Sequence, residues 1–189
     1  MTDPAPPFHP VVHLPDDYVV LDLTQSGHTS AVWSVGRYDE DRAIYTQDLF
    51  AGRRSLHVGI DLGGPAGTAV HAFAAGRILF VGVNPAPGDY GPTIVTEHEL
   101  DGAPLWALHG HLAVASLERR SPGDAFASGD VLGHLGAEAE NGGWPPHVHF
   151  QLSRVRPTTH DLPGAVDPAD RARALADYPD PRIVLGPIY

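Results

Sequence analysis

The chain has 189 residues, with 12 Lys and Arg against 23 Asp and Glu, no Cys and 12 His. This length predicts one domain, with a core large enough to fold without disulfides. The net charge of −11 argues against duplex DNA or an anionic membrane surface as the main partner, and the missing Cys excludes thiolate metal sites, disulfides and Cys nucleophiles together.

Residues 1–17 are Pro-rich and read as an irregular lead-in. The first ten residues have no basic start and no apolar run, and no run of about eighteen apolar residues occurs, so the expectation is a cytoplasmic protein with no membrane span. Tyr18–Leu23 and Ala31–Val35 predict short strands around a turn at Gln25-Ser26-Gly27-His28. Residues 36–54 fit a short helix or a loop equally. From about 57 to 155, seven apolar runs alternate with Gly and Pro breakers: 57–62, 69–72, 77–83, 93–98, 105–112, 131–135 and 148–152. They predict a mainly β fold, an antiparallel sandwich or barrel. Near the end, Asp167 can cap a helix, Pro168 suits its first position, and Ala169–Ala176 continues it until Tyr178-Pro179-Asp180-Pro181. The organisation expected is an N-terminal extension with short strands (1–52), a core (53–155), and a Pro-rich tail with one short helix (156–189) that wraps the sheet.

Three patches carry ionisable residues at strand spacing. His57 and Asp61 are four apart, so they share a strand face but lie about 13 Å apart on an ideal strand, too far to share one ion. The strand must bend, and Gly59 permits it. His147 and His149 share a face about 6.6 Å apart, so both can reach one ion, or one can ligate while the other faces the substrate. His109 and His111 repeat that spacing with Gly110 between them. His71 and His98 read as structural histidines on strands, His134 as exposed in a hairpin, and His9, His13, His28 and His160 as solvent-facing in loops.

The order of these patches makes the chain recognisable. His57-x-x-x-Asp61, Gly110-His111-Leu112 and His147-x-His149 resemble the signature of the M23 (lysostaphin-type) zinc metallopeptidases, and Gly67–Gly76 and Gly123–Gly133 resemble its intervening hairpins. The likeness covers roughly 53–155. The loop Asn141-Gly142-Gly143-Trp144-Pro145-Pro146 and the later Leu162-Pro163-Gly164 are closest in texture to M23-like domains of cytosolic multidomain proteins. The resemblance implies a duplicated hybrid-motif β fold with short peripheral helices. It implies Zn2+ held by His57, Asp61 and His149, and a catalytic pair, His111 and His147. One of the pair would draw a proton from the attacking water, while the other stabilises the tetrahedral intermediate or protonates the leaving amine. Tyr45, Trp144 and His109 are the candidates for contact with substrate, His109 because it is taken to face the same side as His111. The expected substrate is a peptide, either peptidoglycan-type or a small cytosolic one, with no nucleic acid or membrane partner. Two other readings are a non-catalytic M23-like module that binds a peptide or partner, and a His phosphocarrier of related architecture, in which Asp61 and the His147/His149 pair have no task.

Overall fold

Alternation of apolar side chains along the central strands decides the architecture. The computed structural model describes residues 8–25 and 31–189, so part of the turn expected at Gln25–His28 lies outside the described residues, as does His28 itself. In chain order the strands are β1 (Val19–Val20), β2 (Ser34–Gly36), β3 (Glu40–Asp41), β4 (Leu56–His57), β5 (Ile60–Gly63), β6 (Ala69–His71), β7 (Gly76–Asn84), β8 (Gly91–Leu100), β9 (Ala103–Gly110), β10 (Ala125–Phe126), β11 (Val131–His134), β12 (His147–Ser153) and β13 (Ala165–Val166). Eight of them form one sheet in the order β1-β2-β5-β12-β9-β8-β7-β10, antiparallel except for the β1–β2 pair. β11 pairs with β6, and β4 lies between β13 and β3 in a third small sheet. The protein is therefore mainly β and antiparallel. Among the described residues, no helix is long and apolar enough to cross a membrane.

Register assigns the two faces of the large sheet. Phe150 pairs with Ile60 and His109, His109 with Ile94, and Leu152 with Ala107. These positions, with Leu62 and Val148, look into a core completed by Val70 and Phe73 near β6, Leu132 of β11, and Val11 and Val12 of the N-terminal segment. Burying each such Leu, Phe or Ile contributes about 1.5–3 kcal/mol. The intervening residues Asp61, His147, His149 and Gln151 look out of the opposite face. The chain after β12 lies over that face: Gln151 Nε2 donates to Pro163 O at 3.3 Å, and Tyr90 Oη donates to Leu162 O at 3.0 Å.

Several local expectations need adjusting. The 57–62 run is two strands in different sheets, broken at Val58-Gly59. The segment 36–54 supplies β3 and a 3-10 turn at Asp48–Phe50. The terminal helix begins with a 3-10 turn at Pro168–Asp170, capped by Asp167 Oδ1 on Ala169 N at 2.9 Å, and continues as α1 (Arg171–Asp177). A second short helix, α2 (Arg182–Leu185), follows. The β8–β9 hairpin closes on Asp101-Gly102, both at positive φ (51° and 77°), the Asp-Gly chemistry that a tight two-residue turn prefers.

Candidate metal centre

The break between β4 and β5 makes the site. It folds His57 back onto its neighbour, so that His57 Nε2 lies 3.3 Å from Asp61 Oδ1 instead of most of a strand length away. Gly59 stands at this elbow for a second reason: a Cβ there would lie 2.5 Å from His149 Cε1 and 2.6 Å from His149 Nε2. Hydrogen on that Cα is what lets the imidazole of β12 approach the elbow.

Hydrogen bonds fix which ring nitrogens carry protons. His57 Nδ1–H donates to Arg37 O at 2.8 Å, which leaves Nε2 as a lone pair. His149 Nε2–H donates to Gln151 Oε1 at 3.0 Å, which leaves Nδ1. These two nitrogens are 2.9 Å apart, and His149 Nδ1 is 3.1 Å from Asp61 Oδ1. Three proton-free donor atoms thus form a triangle with sides of 2.9–3.3 Å inside the protein. A cation with bonds of about 2.0–2.1 Å sets tetrahedral ligands roughly 3.3 Å apart, so the donor set fits a divalent transition metal of the zinc type. The same residues emerge as a group of potential ligands on proximity alone.

Electrostatics favours this state. Burial and the Arg42 guanidinium push the His57 imidazole down to about 4, so it is neutral at ordinary pH. Burial alone would raise Asp61, but the neighbouring His57 and the Arg42 guanidinium hold it well below the usual carboxylate range. Arg42 is buried and spans the area: Nη1 donates to Asp61 Oδ2 at 2.6 Å and to Tyr45 Oη at 3.0 Å, and Nε donates to Glu40 Oε2 at 3.0 Å.

His111 and His147 flank the triangle with ring centroids 4.3 Å apart. Each gives its Nδ1 proton to a backbone carbonyl at 2.7 Å, of Asn141 and Pro145 respectively, so each presents a bare Nε2. Burial lowers both pKa values, the charge of His147 lowers His111 further, and both rings are bases at neutral pH. His111 reaches the site through backbone strain. It has φ 61°, locked by His111 N–H to Tyr90 O at 2.7 Å and Gly136 N–H to His111 O at 3.0 Å.

That strain corrects one expectation. His109 does not share a face with His111. In β9 it pairs with Phe150 and Ile94, is fully buried, and packs its ring 5.3 Å from Phe150 in the core. The left-handed residue at 111 breaks the alternation, so His109 lies away from the cleft. Tyr45 and Trp144 do line the cleft, a cavity of about 460 Å³ that also contains Asp61, His111, His147 and His149. Tyr45 stacks on Phe50 at 4.4 Å and meets Trp144 edge-on at 6.2 Å. The other histidines divide. His98 is buried and bonded to Thr96 and Ala75, and His134 is exposed. His160 is half-buried, while His9, His13 and His71 gather in a cluster of their own.

Four contributors were not singled out from the sequence: Arg42, Tyr90, Asn141 and Gln151. Gln151 was within reach, since it is two residues beyond His149 on the same strand face. Asn141 has a turn signature in Asn-Gly-Gly. Its Oδ1 accepts from Gly143 N and Trp144 N, while its Nδ2 donates to Gly136 O and Trp144 O. Arg42 and Tyr90 have no local signal; only the fold brings them in.

Comparison with known proteins gives the family. The model for Peptidase family M23 matches residues 55–162, more than half of the chain. The DD-carboxypeptidase/endopeptidase Mpg of Neisseria meningitidis and that of Neisseria gonorrhoeae are each 34% identical over 112 residues, covering 57% of this chain and 23% of theirs. The chain therefore spans about a quarter of the length of these curated relatives. Among solved structures, a variant catalytic domain of the prophage-encoded M23 protein EnpA from Enterococcus faecalis aligns with TM-score 0.49 and 22% identity, over 75% of this chain and 93% of that one. Lysostaphin from Staphylococcus simulans aligns with TM-score 0.46 and 23% identity, over 75% of this chain and 50% of that one. With more than half of its length matched by that family's model, the chain belongs to peptidase family M23.

Proposed function

We propose that the protein is a zinc-dependent metallopeptidase, and the observation that carries this reading is the buried triangle of proton-free donors on His57, Asp61 and His149. Those three residues would hold the cation. When bound, it supplies Lewis-acid polarisation of the scissile carbonyl and makes a water acidic enough to attack near neutral pH. The rest of the chemistry belongs to side chains of this chain. Arg42 occupies Asp61 Oδ2 and so leaves Oδ1 facing the imidazoles. Gln151 and Arg37 O hold the two ligand rings in the required tautomers. His111 and His147 present bare Nε2 atoms, so one takes the proton of the attacking water. Because burial disfavours the imidazolium, the acquired proton passes readily to the leaving amine.

The cleft admits an extended peptide along the aromatic wall of Tyr45, Phe50 and Trp144. The Neisseria relatives are named DD-carboxypeptidase/endopeptidase, which supports a peptidoglycan-type peptide as the first substrate to try, with small ordinary peptides second. The test combines metal analysis with a screen of Gly-rich peptides, D-amino-acid muropeptides and ordinary dipeptides. His149→Ala is expected to lose both metal and turnover. His147→Ala is expected to keep the metal and lose turnover by about 10²–10⁴-fold. Protein that neither contains zinc nor takes it up when zinc is added sinks the proposal.

A further inference from the structure

Three histidines outside this site converge without an evident reason. His9 and His13 lie on the N-terminal segment and His71 on β6, and the three ring centroids form a nearly equilateral triangle of 5.2, 5.1 and 5.0 Å. One ring nitrogen from each lies within 4.8 Å of the others. Three imidazoles packed this closely repel one another once protonated, so as a purely structural contact the arrangement gains little.

The backbone sets this triangle up. His9 N–H donates to Phe73 O at 2.9 Å and His71 N–H to Val11 O at 2.8 Å, tying the segment along β6, while Val11 and Val12 are buried in the core. A bend at Val11-Val12 then brings His13 back to His9. The tautomers follow from hydrogen bonds, as in the first site. His9 Nδ1–H donates to Pro10 O at 2.9 Å and His71 Nδ1–H to Gly129 O at 3.0 Å, so both rings present Nε2 as a lone pair. A metal-bound imidazole commonly has its other nitrogen tied to a carbonyl in this way. Bonds near ~2.1 Å require the three rings to draw together, which exposed His13 and half-buried His9 and His71 leave room for.

We propose that His9, His13 and His71 form a second metal site, a structural one, that takes an imidazole-preferring divalent cation such as zinc and clamps the N-terminal segment to β6. Water completes the fourth position. The site shares no residue with the His57, Asp61 and His149 group and does not depend on peptidase activity.

The test is zinc titration of untagged, chelator-stripped protein by calorimetry, with thermal melting in parallel. Wild type is expected to bind two equivalents and His149→Ala one. His13→Ala, an exposed substitution that leaves the core intact, is expected to weaken the remaining equivalent in His149→Ala by roughly 100-fold or more and to abolish its zinc-dependent rise in Tm. If the first site proves inert, wild type still binds one equivalent, which His13→Ala removes and His149→Ala does not. A His149→Ala protein that binds no zinc, or whose binding is unchanged by His13→Ala, overturns the proposal.

Discussion

Arg42 Nη1 lies 2.6 Å from Asp61 Oδ2, and this contact decides which carboxylate oxygen faces the His57 and His149 imidazoles. The guanidinium also serves Glu40 and the Tyr45 hydroxyl, so one buried cation orients three groups. Arg42→Lys keeps the charge but not the fork, and it is expected to lower zinc affinity by about 10–100-fold with the fold retained. Arg42→Leu takes the buried guanidinium away from the Glu40 and Asp61 carboxylates and is expected to cost about 3–5 kcal/mol of stability. Zinc titration and urea denaturation read the two effects separately. Wild-type zinc affinity in Arg42→Lys would mean that Asp61 is positioned by something else.

Gly59 makes a sharper steric prediction. Its added Cβ would meet the His149 ring at 2.5 Å, and Gln151 Oε1 ties that ring down from the other side. Gly59→Ala is expected to displace the ring, with a stability loss of about 1–3 kcal/mol and a larger, separable loss of metal. Metal content and melting temperature on the same sample check this. A variant that melts lower yet keeps full zinc occupancy would show that His149 adapts.

Part of this was legible in the sequence and part was not. Strand-length apolar runs between Gly and Pro breakers place β6 to β9, β11 and β12, because period-two burial and turn chemistry are local properties. Spacing alone carried less of the site: His147-x-His149 keeps strand spacing and Gly59 permits the bend between His57 and Asp61, while the grouping of His57, Asp61 and His149 as one ligand set came from the resemblance to the M23 pattern. His109 misled because alternation holds only while φ stays negative, and nothing local announces the left-handed turn at His111. Arg42 arrives from a segment whose own pattern is ambiguous and Tyr90 from the link between two strand runs, and a contact across the fold leaves no trace in spacing.

Asn141 ties the loop before β12 to His111. Its side chain makes four hydrogen bonds within Gly136–Trp144, and its carbonyl receives His111 Nδ1. The side chain is fully buried, so Asn141→Ala leaves those backbone groups without partners, at about 1–3 kcal/mol. Loosening this loop also frees His111 and Trp144 but touches no metal ligand. The expected result is turnover reduced by tenfold or more with zinc stoichiometry unchanged. Loss of zinc in step with turnover would instead tie the loop to the metal site.

Acid should destabilise the fold through its core histidines. Burial, partly opposed by the Ala75 carbonyl and the Glu97 charge, pushes His98 down to about 4, and burial with the His98 charge pushes His109 to about 3. Both have ordinary values near 6.5 in the unfolded chain. Between about pH 6.5 and 4 the unfolded state therefore binds protons that the native state refuses, and stability falls as pH falls through that window. For His98 about 2 kcal/mol of stability is lost by pH 5. His98→Gln keeps hydrogen-bonding partners for Thr96 and Ala75 but cannot titrate. Urea denaturation at pH 8 and pH 5 is expected to show a smaller acid penalty in this variant, by about 2 kcal/mol. An equal penalty in both proteins would mean that the acid sensitivity arises elsewhere, with His109 as the next position to substitute.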